Sequence, residues 1–352
     1  MALALTLGRR GLGNAWPNPA VGAVVVKGGV IVGRGWTQPG GRPHAEVEAL
    51  RRAGPAARGA TLYATLEPCS HHGKTPPCVD AIMAAGVTRV VSALEDPNPE
   101  IAGQGHARLR QQGVAVDVGL GREEAQRAHA GHFRRVRDNR PHVTLKLAVS
   151  ADGRAGLPGR RPAAITGEVT RARVHQMRAM HDAVLTGIGT VLADDPQLNV
   201  RLSGMEASSP VRVVVDSALR MPSSAQIAGD KLWVFTGEGA SKQNEQAIAA
   251  RGADVIRVAG AAGQIDLAAV LHALSARGIT RLMVEAGPIL SAAFLAADLV
   301  DEVALFRSPN ALGEGIDALE GQPLTALTQS PKLRLVESEQ VGPDTLQMFE
   351  RA

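Results

Sequence analysis

The residues with the clearest chemical potential lie between positions 44 and 78. His44 and Glu46 form a His-x-Glu motif, and the two cysteines of the 352-residue chain follow at Cys69 and Cys78. One imidazole and two thiolates supply three protein ligands to zinc, which leaves the fourth tetrahedral position open for water. Zinc makes such water acidic enough to supply hydroxide near neutral pH. These residue types therefore predict a catalytic zinc site.

The order of these residues matches the zinc deaminases of nucleobases, but their spacing does not. Those enzymes combine His-x-Glu with Pro-Cys-x-x-Cys, and the glutamate carries protons without binding the metal. Here Pro68 precedes Cys69, but eight residues separate the two cysteines. A disulfide is one alternative, although no secretory signal peptide indicates an oxidising compartment. Buried, inert thiols are another. Neither alternative explains the neighbouring motifs, so we favour zinc.

Length and composition limit the class of protein. A chain of 352 residues with 45% hydrophobic content is long enough for two domains with their own cores. No apolar run approaches the roughly 20 residues that cross a bilayer, so we expect a cytoplasmic protein with no membrane partner. The net charge of +4 could indicate nucleic acid, but aromatic residues make up only 3% and base-stacking platforms are scarce. We therefore expect a small anionic ligand and no nucleic-acid partner.

Hydrophobic periodicity predicts how the N-terminal half positions its zinc residues. Strands are expected at 21–26, 30–36, 61–66, 89–94 and 114–118, and helices at 3–12, 44–53, from 77, at 105–112 and at 123–137. The third strand leads into Pro68-Cys69, while His44 and Cys78 lie at the starts of two helices. A hairpin followed by alternating helices and strands predicts a three-layer α/β/α domain over residues 1–141.

A second α/β pattern begins after Pro141, so a second domain is expected over 142–352. Strands are expected at 143–150, 183–185, 211–216, 231–236, 255–258, 281–285 and 302–306, and helices at 168–181, 243–251, 266–277 and 289–297. Glycine-rich turns follow two strands, at Gly187-Ile188-Gly189 and Ala286-Gly287-Pro288. Backbone amides at such turns can hold a diphosphate. Neither turn is a full G-x-G-x-x-G fingerprint, and on sequence alone ordinary tight turns are favoured.

Further motifs identify a resemblance that covers nearly the whole chain. The N-terminal motifs are Pro17-Asn18-Pro19, His44-Ala45-Glu46, Leu66-Glu67-Pro68-Cys69, Thr75-Pro76-Pro77-Cys78 and Asp96-Pro97-Asn98-Pro99. The C-terminal motifs are Lys146-Leu147, Ser150-Ala151-Asp152-Gly153-Arg154, Thr190-Val191-Leu192-Ala193-Asp194-Asp195-Pro196, Val215-Asp216-Ser217 and Val284-Glu285-Ala286-Gly287-Pro288. The chain resembles the bifunctional riboflavin-biosynthesis deaminase/reductase of bacteria, and the long gap between the cysteines is that family's own spacing.

The resemblance implies two consecutive activities. A cytidine-deaminase-like first domain would use zinc to hydrolyse an exocyclic amine of the diaminopyrimidinone ribosylamino 5′-phosphate. A second α/β domain, similar to dihydrofolate reductase in fold, would use NADPH to reduce the ribosyl group to ribityl. The resemblance also implies a homodimer or tetramer, which no residue of the sequence proves.

The resemblance further implies roles for individual residues. In the first domain, His44, Cys69 and Cys78 would bind zinc, and Glu46 would carry a proton from water to the ring and the leaving amine. Asn18 is assigned to the substrate, although on spacing alone a turn residue that bonds its own backbone is favoured. In the second domain, the substrate positions are Arg178, Leu198, Arg201 and Glu285, and the NADPH positions are Ala148, Thr190, Asp194, Ser217 and Gly287.

Some positions leave alternatives open. Arg178 and Arg201 suit phosphate because guanidinium forks match its oxygens, although without the family a surface ion pair is favoured for each. The family has Ser-x-Trp where this chain has Pro162-Ala163-Ala164, so a deaminase with a weak or silent reductase is a second hypothesis. A nucleic-acid-acting zinc deaminase is a third. His71 and His72 could compete as ligands, but we interpret them as pocket or loop residues.

Overall fold

A computed structural model describes residues 1–161, 163–261 and 263–352. The chain divides into two units, of which the first consists of Met1–Pro141 and Ser275–Thr280. The second consists of His142–Leu274 and Arg281–Ala352. Within these ranges, none of the helices combines the length and the apolar character that crossing a membrane requires.

The first unit is built on a five-stranded sheet. Its strands are β1 (Gly22–Lys27), β2 (Val30–Trp36), β3 (Thr61–Ala64), β4 (Arg89–Ser92) and β5 (Ala115–Val118). Its helices are α1 (Ala2–Gly8), α2 (Ala45–Ala53), α3 (Cys78–Ala84), α4 (Gln104–Gln111), α5 (Arg122–Ala128) and α6 (Ala130–Asp138). The strand order is β2-β1-β3-β4-β5, antiparallel from β2 to β3 and parallel from β3 to β5.

Alternation along β1 sends side chains to both faces of this sheet. Ala23 and Val25 belong to a core that includes residues of α2, α3 and α4. Val24 lies in a second apolar cluster with Ala4 and Leu7 of α1. The predicted three-layer α/β/α arrangement is confirmed, because each face of the sheet is covered by helices.

Helix α2 lies close to β2 because two glycines of the strand present no side chain to it. A Cβ at Gly35 would fall 2.3 Å from the carbonyl oxygen of Ala45, and one at Gly33 would fall 2.2 Å from that of Ala49. Any larger residue would push the helix away from the sheet. The glycines therefore fix the helix start, which follows directly on His44.

The single helix predicted at 123–137 is wrong, because the structure has α5 and α6 with a break between them. His129 lies at the break and leaves the helical conformation with φ −98° and ψ 11°. Its buried ring nitrogen Nε2 lies 3.0 Å from Thr65 Oγ1, and the same hydroxyl accepts the N–H of Gly22 at 3.1 Å. This tertiary contact outweighs the local helical pattern.

The second part of the chain carries a larger sheet. Its strands are β6 (His142–Val149), β7 (Arg154–Gly156), β8 (Ala183–Gly187), β9 (Val211–Val215), β10 (Leu232–Thr236), β11 (Asp254–Arg257), β12 (Gly260–Ala261), β13 (Gln264–Ile265), β14 (Arg281–Val284), β15 (Glu302–Arg307), β16 (Ile316–Asp317), β17 (Leu333–Val341) and β18 (Asp344–Arg351). Its helices are α7 (Glu168–Ala179), α8 (Ile188–Asp194), α9 (Lys242–Ala249), α10 (Leu267–Ala276), α11 (Pro288–Ala296) and α12 (Thr325–Thr328).

Nine of these strands form one sheet in the order β11-β10-β9-β8-β14-β6-β15-β18-β17. The strands from β11 to β15 are parallel, whereas β18 pairs with β15 and β17 in antiparallel fashion. Because parallel strands end at one edge, the residues after β9, β8, β14 and β6 lie along the same side. In open α/β sheets, ligands bind in a crevice at this carboxyl edge.

Periodicity misses the C-terminal hairpin of β17 and β18. The pairing shifts register between Leu335 and Glu337, and β17 is mostly exposed, so the strand shows no clean apolar alternation. Gly342, with φ 61°, and Pro343 mark the turn. That pair is the signal from which the hairpin could have been predicted.

Candidate active sites

The three predicted zinc ligands converge in the first unit. His44 caps α2, Cys69 follows β3, and Cys78 is the first residue of α3 after Pro77. His44 Nδ1 lies 3.2 Å from Cys78 Sγ and 3.6 Å from Cys69 Sγ, and all three ligand atoms lie within 4.8 Å of one another. A tetrahedral zinc with bonds of about 2.0–2.3 Å separates its ligands by roughly 3.5 Å. The triangle therefore fits zinc.

The two cysteines of the triangle shift each other's pKa in opposite directions. A hydrogen bond from the Cys78 thiol lowers the pKa of Cys69 to about 4, and Cys69 Sγ accepts the N–H of Cys78 at 3.2 Å. The same contact with Cys69, together with burial, raises the pKa of Cys78. One thiolate and one thiol result from the protein groups alone. A metal ion binds both cysteines as thiolates, so a bound zinc would stabilise both sulfurs in that form.

Glu46 lies beside this triangle, on the first turn of α2. Its side chain is buried, and burial raises its pKa to about 7. A carboxyl group with a pKa near the working pH can both accept and donate a proton. The environment of Glu46 thus suits the predicted role of proton carrier.

Asn18 contacts the zinc histidine. Its Nδ2 donates to the carbonyl oxygen of Gly41 at 2.9 Å and lies 3.1 Å from His44 Nε2. A Cβ at Gly41 would fall 2.8 Å from Asn18 Cβ, and φ is 86° there, so this position requires glycine. A contact to the outer nitrogen of a metal-binding histidine fixes its ring orientation. The Asn18 side chain therefore bonds residues outside its own turn. Its contact with substrate stays a prediction.

Glu67 organises the loop that carries Cys69, and sequence reasoning assigned it no role. Its buried carboxylate accepts backbone N–H groups at 2.8–3.3 Å from Asp96, Gly103, Gly105 and His106. A Cβ at Gly105 would fall 2.1 Å from the carbonyl oxygen of Pro68. Glu67 therefore holds the segment after β4 against the Pro-Cys turn. An acidic residue directly before Pro-Cys is the only sequence signal of this contact.

His71 and His72 are exposed in the loop after Cys69, outside the cluster of ligand atoms. We expect His71→Ala to retain one zinc per chain, because three ligands remain in place. Cys78→Ser should lose stoichiometric zinc, since it removes a ligand. Mass-spectrometric metal analysis of dialysed protein checks both variants. A zinc-free His71→Ala protein would overturn the assignment of ligands.

Two adjoining cavities lie along the carboxyl edge of the parallel strands in the second unit. The larger has a volume of about 700 Å³, and the smaller about 350 Å³. Both are lined by Ala155, Thr190, Asp194, Gly287 and Pro288. The two spaces therefore meet at the starts of α8 and α11.

The predicted residues of the reductase divide between these cavities. Of the cofactor positions, the larger cavity contains Thr190, Asp194, Ser217 and Gly287. Of the substrate positions, the smaller contains Arg178, Leu198 and Glu285, and it also includes Ala148, which was predicted to contact NADPH. Arg201 lines neither cavity and donates instead to Asn199 Oδ1 at 2.8 Å. The structure thus brings together all but one of these residues.

The larger cavity fits a dinucleotide. A Cβ at Gly189 would meet nothing within 4 Å, so the wall there is open backbone, and the N–H of Gly287 donates to Thr190 Oγ1 at 3.1 Å. Arg161 and Arg220 also line the space and add positive charge to it, whereas Arg160 in the same wall pairs with Glu320 at 2.7 Å. These features match an anionic cofactor of the NADPH kind.

The smaller cavity is organised around Glu285. Arg178 donates to both carboxylate oxygens of Glu285 at 2.9 Å and to the carbonyl oxygen of Asn199 at 2.9 Å. Lys146 Nζ lies 3.6 Å from Glu285 Oε1. Burial raises the pKa of Glu285, but Lys146 and Arg178 outweigh it and lower the pKa to about 2. Lys146 was recognised as part of a motif without a role, and here it lines the cavity.

The segment that departs from the family pattern is described in part. Pro162 lies outside the described residues. Ala163 and Ala164 line the smaller cavity, and neither can supply an aromatic wall. A lowered affinity for substrate or cofactor at this position therefore stays a prediction.

Comparison with known proteins covers both units. Residues 1–94 match the cytidine and deoxycytidylate deaminase zinc-binding region, and residues 141–347 match the RibD C-terminal domain. The chain is also 41% identical to the riboflavin biosynthesis protein RibD of Escherichia coli strain K12, over 98% of this chain and 96% of that protein. The chain belongs to the RibD family. It is therefore a bifunctional deaminase and reductase of riboflavin biosynthesis, with zinc and NADPH as cofactors.

Solved RibD structures extend the similarity to the fold. Acinetobacter baumannii RibD has a TM-score of 0.89 and 36% identity, covering 100% of this chain and 97% of that chain. The deaminase/reductase of Thermotoga maritima has a TM-score of 0.86 and 35% identity, with the same coverage. The expected fold class is confirmed: a cytidine-deaminase-like N-terminal domain and a C-terminal domain similar to dihydrofolate reductase.

Proposed function

We propose that residues 1–141 deaminate the diaminopyrimidinone ribosylamino 5′-phosphate, and that residues 142–352 then reduce its ribosyl group to ribityl. The observation that supports this division is that each unit has a complete set of groups for one reaction. The first has three zinc ligands with Glu46, and the second has a smaller cavity lined by Lys146 and Glu285 that adjoins a larger one. The Thermotoga maritima relative is named as a diaminohydroxyphosphoribosylaminopyrimidine deaminase and 5-amino-6-(5-phosphoribosylamino)uracil reductase.

In the deaminase domain, zinc when bound supplies a polarised, acidic water. His44, Cys69 and Cys78 would hold it, and Asn18 would orient the His44 ring. Glu46 would accept a proton from the water at its carboxylate and deliver it to the ring nitrogen, and would then carry the remaining hydroxyl proton to the amine that leaves. Net hydrolysis replaces the exocyclic amine by oxygen and releases ammonia.

In the reductase domain, NADPH supplies the reducing equivalents. Opening of the ribosyl ring needs a proton at the ring oxygen, and the Lys146 ammonium, which lines the smaller cavity, would donate it. Glu285 forms an ion pair with Lys146 and can accept a hydrogen bond from a sugar hydroxyl. Arg178 acts as a positioning residue because its fork fixes both oxygens of Glu285.

A product assay by mass spectrometry tests the proposal. Zinc-loaded protein is incubated with the diaminopyrimidinone ribosylamino 5′-phosphate, with and without NADPH. We expect oxygen to replace the amine in both samples, and the sugar to gain two hydrogens only with NADPH. Deamination without any NADPH-dependent gain would favour the hypothesis of a silent reductase. If neither change occurs, the proposed substrate is wrong.

We also propose that the protein is a homo-oligomer that works in the cytoplasm. Leu335 and Val336 are exposed on β17, at the edge of the nine-stranded sheet, where an unpaired strand can contact a second copy. A reducing compartment keeps Cys69 and Cys78 available as metal ligands. Light scattering on the purified protein gives the mass of the particle in solution. A monomer at micromolar concentration would contradict the proposed homo-oligomer.

A further inference from the structure

A short segment from the C-terminal half of the sequence belongs to the first unit. Ser275–Thr280 covers the end of α10 and its connection to β14, but its contacts group it with Met1–Pro141. The segment falls inside the match to the RibD C-terminal domain. Ser275 and Ile279 are buried. The unit that carries the zinc ligands therefore includes residues that lie beyond the deaminase part of the sequence.

Arg135 of α6 connects this segment to the Pro17-Asn18 turn. Its Nε donates to the carbonyl oxygen of Ser275 at 3.0 Å, and its Nη1 donates to that of Pro17 at 3.1 Å. The Ser275 hydroxyl also donates to Oδ1 of Asn139, the residue that follows α6, at 3.2 Å. The donors of a guanidinium have a fixed planar geometry. Arg135 therefore holds two backbone carbonyls, from distant parts of the sequence, at a set separation.

Gly278 packs against the same turn. A Cβ at this position would fall 2.7 Å from Pro17 Cβ and 3.6 Å from Trp16 Cε3. Carbon atoms prefer a separation of about 3.5–4.0 Å, so a side chain here would push Pro17 away. The φ of Gly278 is also 96°, a conformation that glycine adopts readily. The glycine allows the segment to lie directly on Pro17.

The turn leads to the zinc site through the next residue. Asn18 Nδ2 donates to the carbonyl oxygen of Gly41 at 2.9 Å and lies 3.1 Å from His44 Nε2. Removing such a partner of a metal-binding histidine typically costs 10- to 100-fold in metal affinity or activity. Because Asn18 is bonded to Pro17, a displacement of Pro17 moves the Asn18 side chain relative to His44.

We propose that Arg135 and the segment Ser275–Thr280 position Asn18 against His44. Deamination then depends on residues from the C-terminal half of the chain. The inference rests on the proposed function of the first unit and adds positioning residues to it. Neither Arg135 nor Gly278 is a zinc ligand, and both act through the Pro17-Asn18 turn.

A double-mutant cycle tests whether Arg135 acts through Asn18. Ammonia release by the zinc-loaded, full-length protein is measured for Arg135→Met, for Asn18→Ala and for the double variant. Arg135→Met should lower kcat/KM for deamination about 10-fold, and Asn18→Ala about 10- to 100-fold. The double variant should lie within about twofold of Asn18→Ala, because nothing remains for Arg135 to position. Losses that multiply in the double variant, or full activity of Arg135→Met, would overturn the proposal.

Arg137→Met is the matched control for the loss of an arginine from α6. Arg137 lies over the Phe133 ring at 4.8 Å, so its removal should leave deamination within about twofold of the parent protein. NADPH-dependent reduction of the deaminated substrate is measured on every variant. It should also stay within about twofold, because neither Arg135 nor Asn18 lines a cavity of the second unit. Equal losses of both activities would refute the proposal, since they would indicate general destabilisation.

Gly278→Ala tests the contact from the other side of the turn. The added methyl group should displace Pro17 and lower kcat/KM for deamination about 10-fold, because small misplacements near a reacting group are costly. Gly113→Ala controls for backbone strain, since φ is 81° there and a Cβ would meet nothing within 4 Å. Equal losses in the two glycine variants would contradict the role of the Gly278 contact.

Cobalt substitution separates this proposal from the proposed function. The visible absorption bands of Co²⁺ in place of zinc depend on the geometry of its ligands and need no turnover. The same spectral change in Arg135→Met and in Asn18→Ala supports the positioning role, even if the parent protein deaminates no substrate. A parent-like spectrum in either variant refutes that role, even if the parent protein is an active deaminase.

Discussion

Glu46→Gln is expected to lower kcat for deamination about 10²- to 10⁴-fold while one zinc per chain is retained. The amide has the size of the carboxylate but cannot carry a proton. Burial raises the pKa of Glu46 to about 7, which is the property that the substitution removes. The three ligand atoms at His44, Cys69 and Cys78 are untouched. Ammonia release and metal content, measured on the same preparation, check both parts.

Glu48→Gln is a suitable control for this experiment. Glu48 lies two residues further along α2, and its carboxylate bonds Arg51 and Arg52 at 2.7–3.0 Å, outside the cluster of zinc ligands. The Glu48→Gln variant should deaminate the substrate at a rate close to that of the parent protein. Full activity in Glu46→Gln would refute the role of Glu46. Loss of zinc from that variant would show instead that Glu46 supports the metal.

The zinc site could be predicted from sequence because its chemistry demands particular residue types. A tetrahedral zinc with an open position needs imidazole and thiolate ligands, and the chain has only two cysteines. Their placement at a strand end and at a helix start follows from local periodicity. Glu67 could not be assigned in the same way, because its partners are backbone N–H groups 29 to 39 residues away. Backbone groups leave no trace in the sequence.

The reductase site shows the limit of transferring roles by motif. Arg178 and Glu285, both predicted to contact substrate, line the smaller cavity. Their pairing across 107 positions changes what Arg178 can do, and only the fold reveals it. Arg201 was predicted to contact substrate, yet its exposed side chain bonds Asn199 beside it. Residue type sets which ligands are possible, and the neighbours in space decide which contact is made.

Two glycines of β2 also have a role that depends on their neighbours in space and not on their residue type alone. Glycine weakens a strand, and the reason for Gly33 and Gly35 in β2 appears only in the structure, where a Cβ at either position would lie 2.2–2.3 Å from a carbonyl oxygen of α2. A helix that approaches this closely brings His44 and Glu46 to the edge of the sheet. The position of Glu46 therefore depends on two glycines that carry no functional group.

Lys146→Met is expected to lower kcat of the reductase about 10²-fold or more, because it removes the proposed proton donor of the smaller cavity. Methionine keeps most of the side-chain volume. Glu285 remains paired with Arg178 at 2.9 Å, so its buried charge is still compensated and the fold should persist. Deamination and NADPH binding should stay unchanged, since neither uses Lys146. NADPH oxidation, calorimetric NADPH binding and ammonia release measure the three quantities.

Lys332→Met controls for the loss of one positive charge in the same unit. Lys332 is exposed, pairs with Asp298 at 3.3 Å and lines neither of the joined cavities, so its reductase activity should match that of the parent protein. A Lys146→Met enzyme that reduces substrate at the parent rate would contradict the assignment of Lys146. A variant that binds NADPH more weakly by the same factor as it loses kcat/KM would place Lys146 in cofactor binding. Retained NADPH binding with a lowered kcat is the pattern that supports proton donation, because only an interaction made in the transition state changes kcat alone.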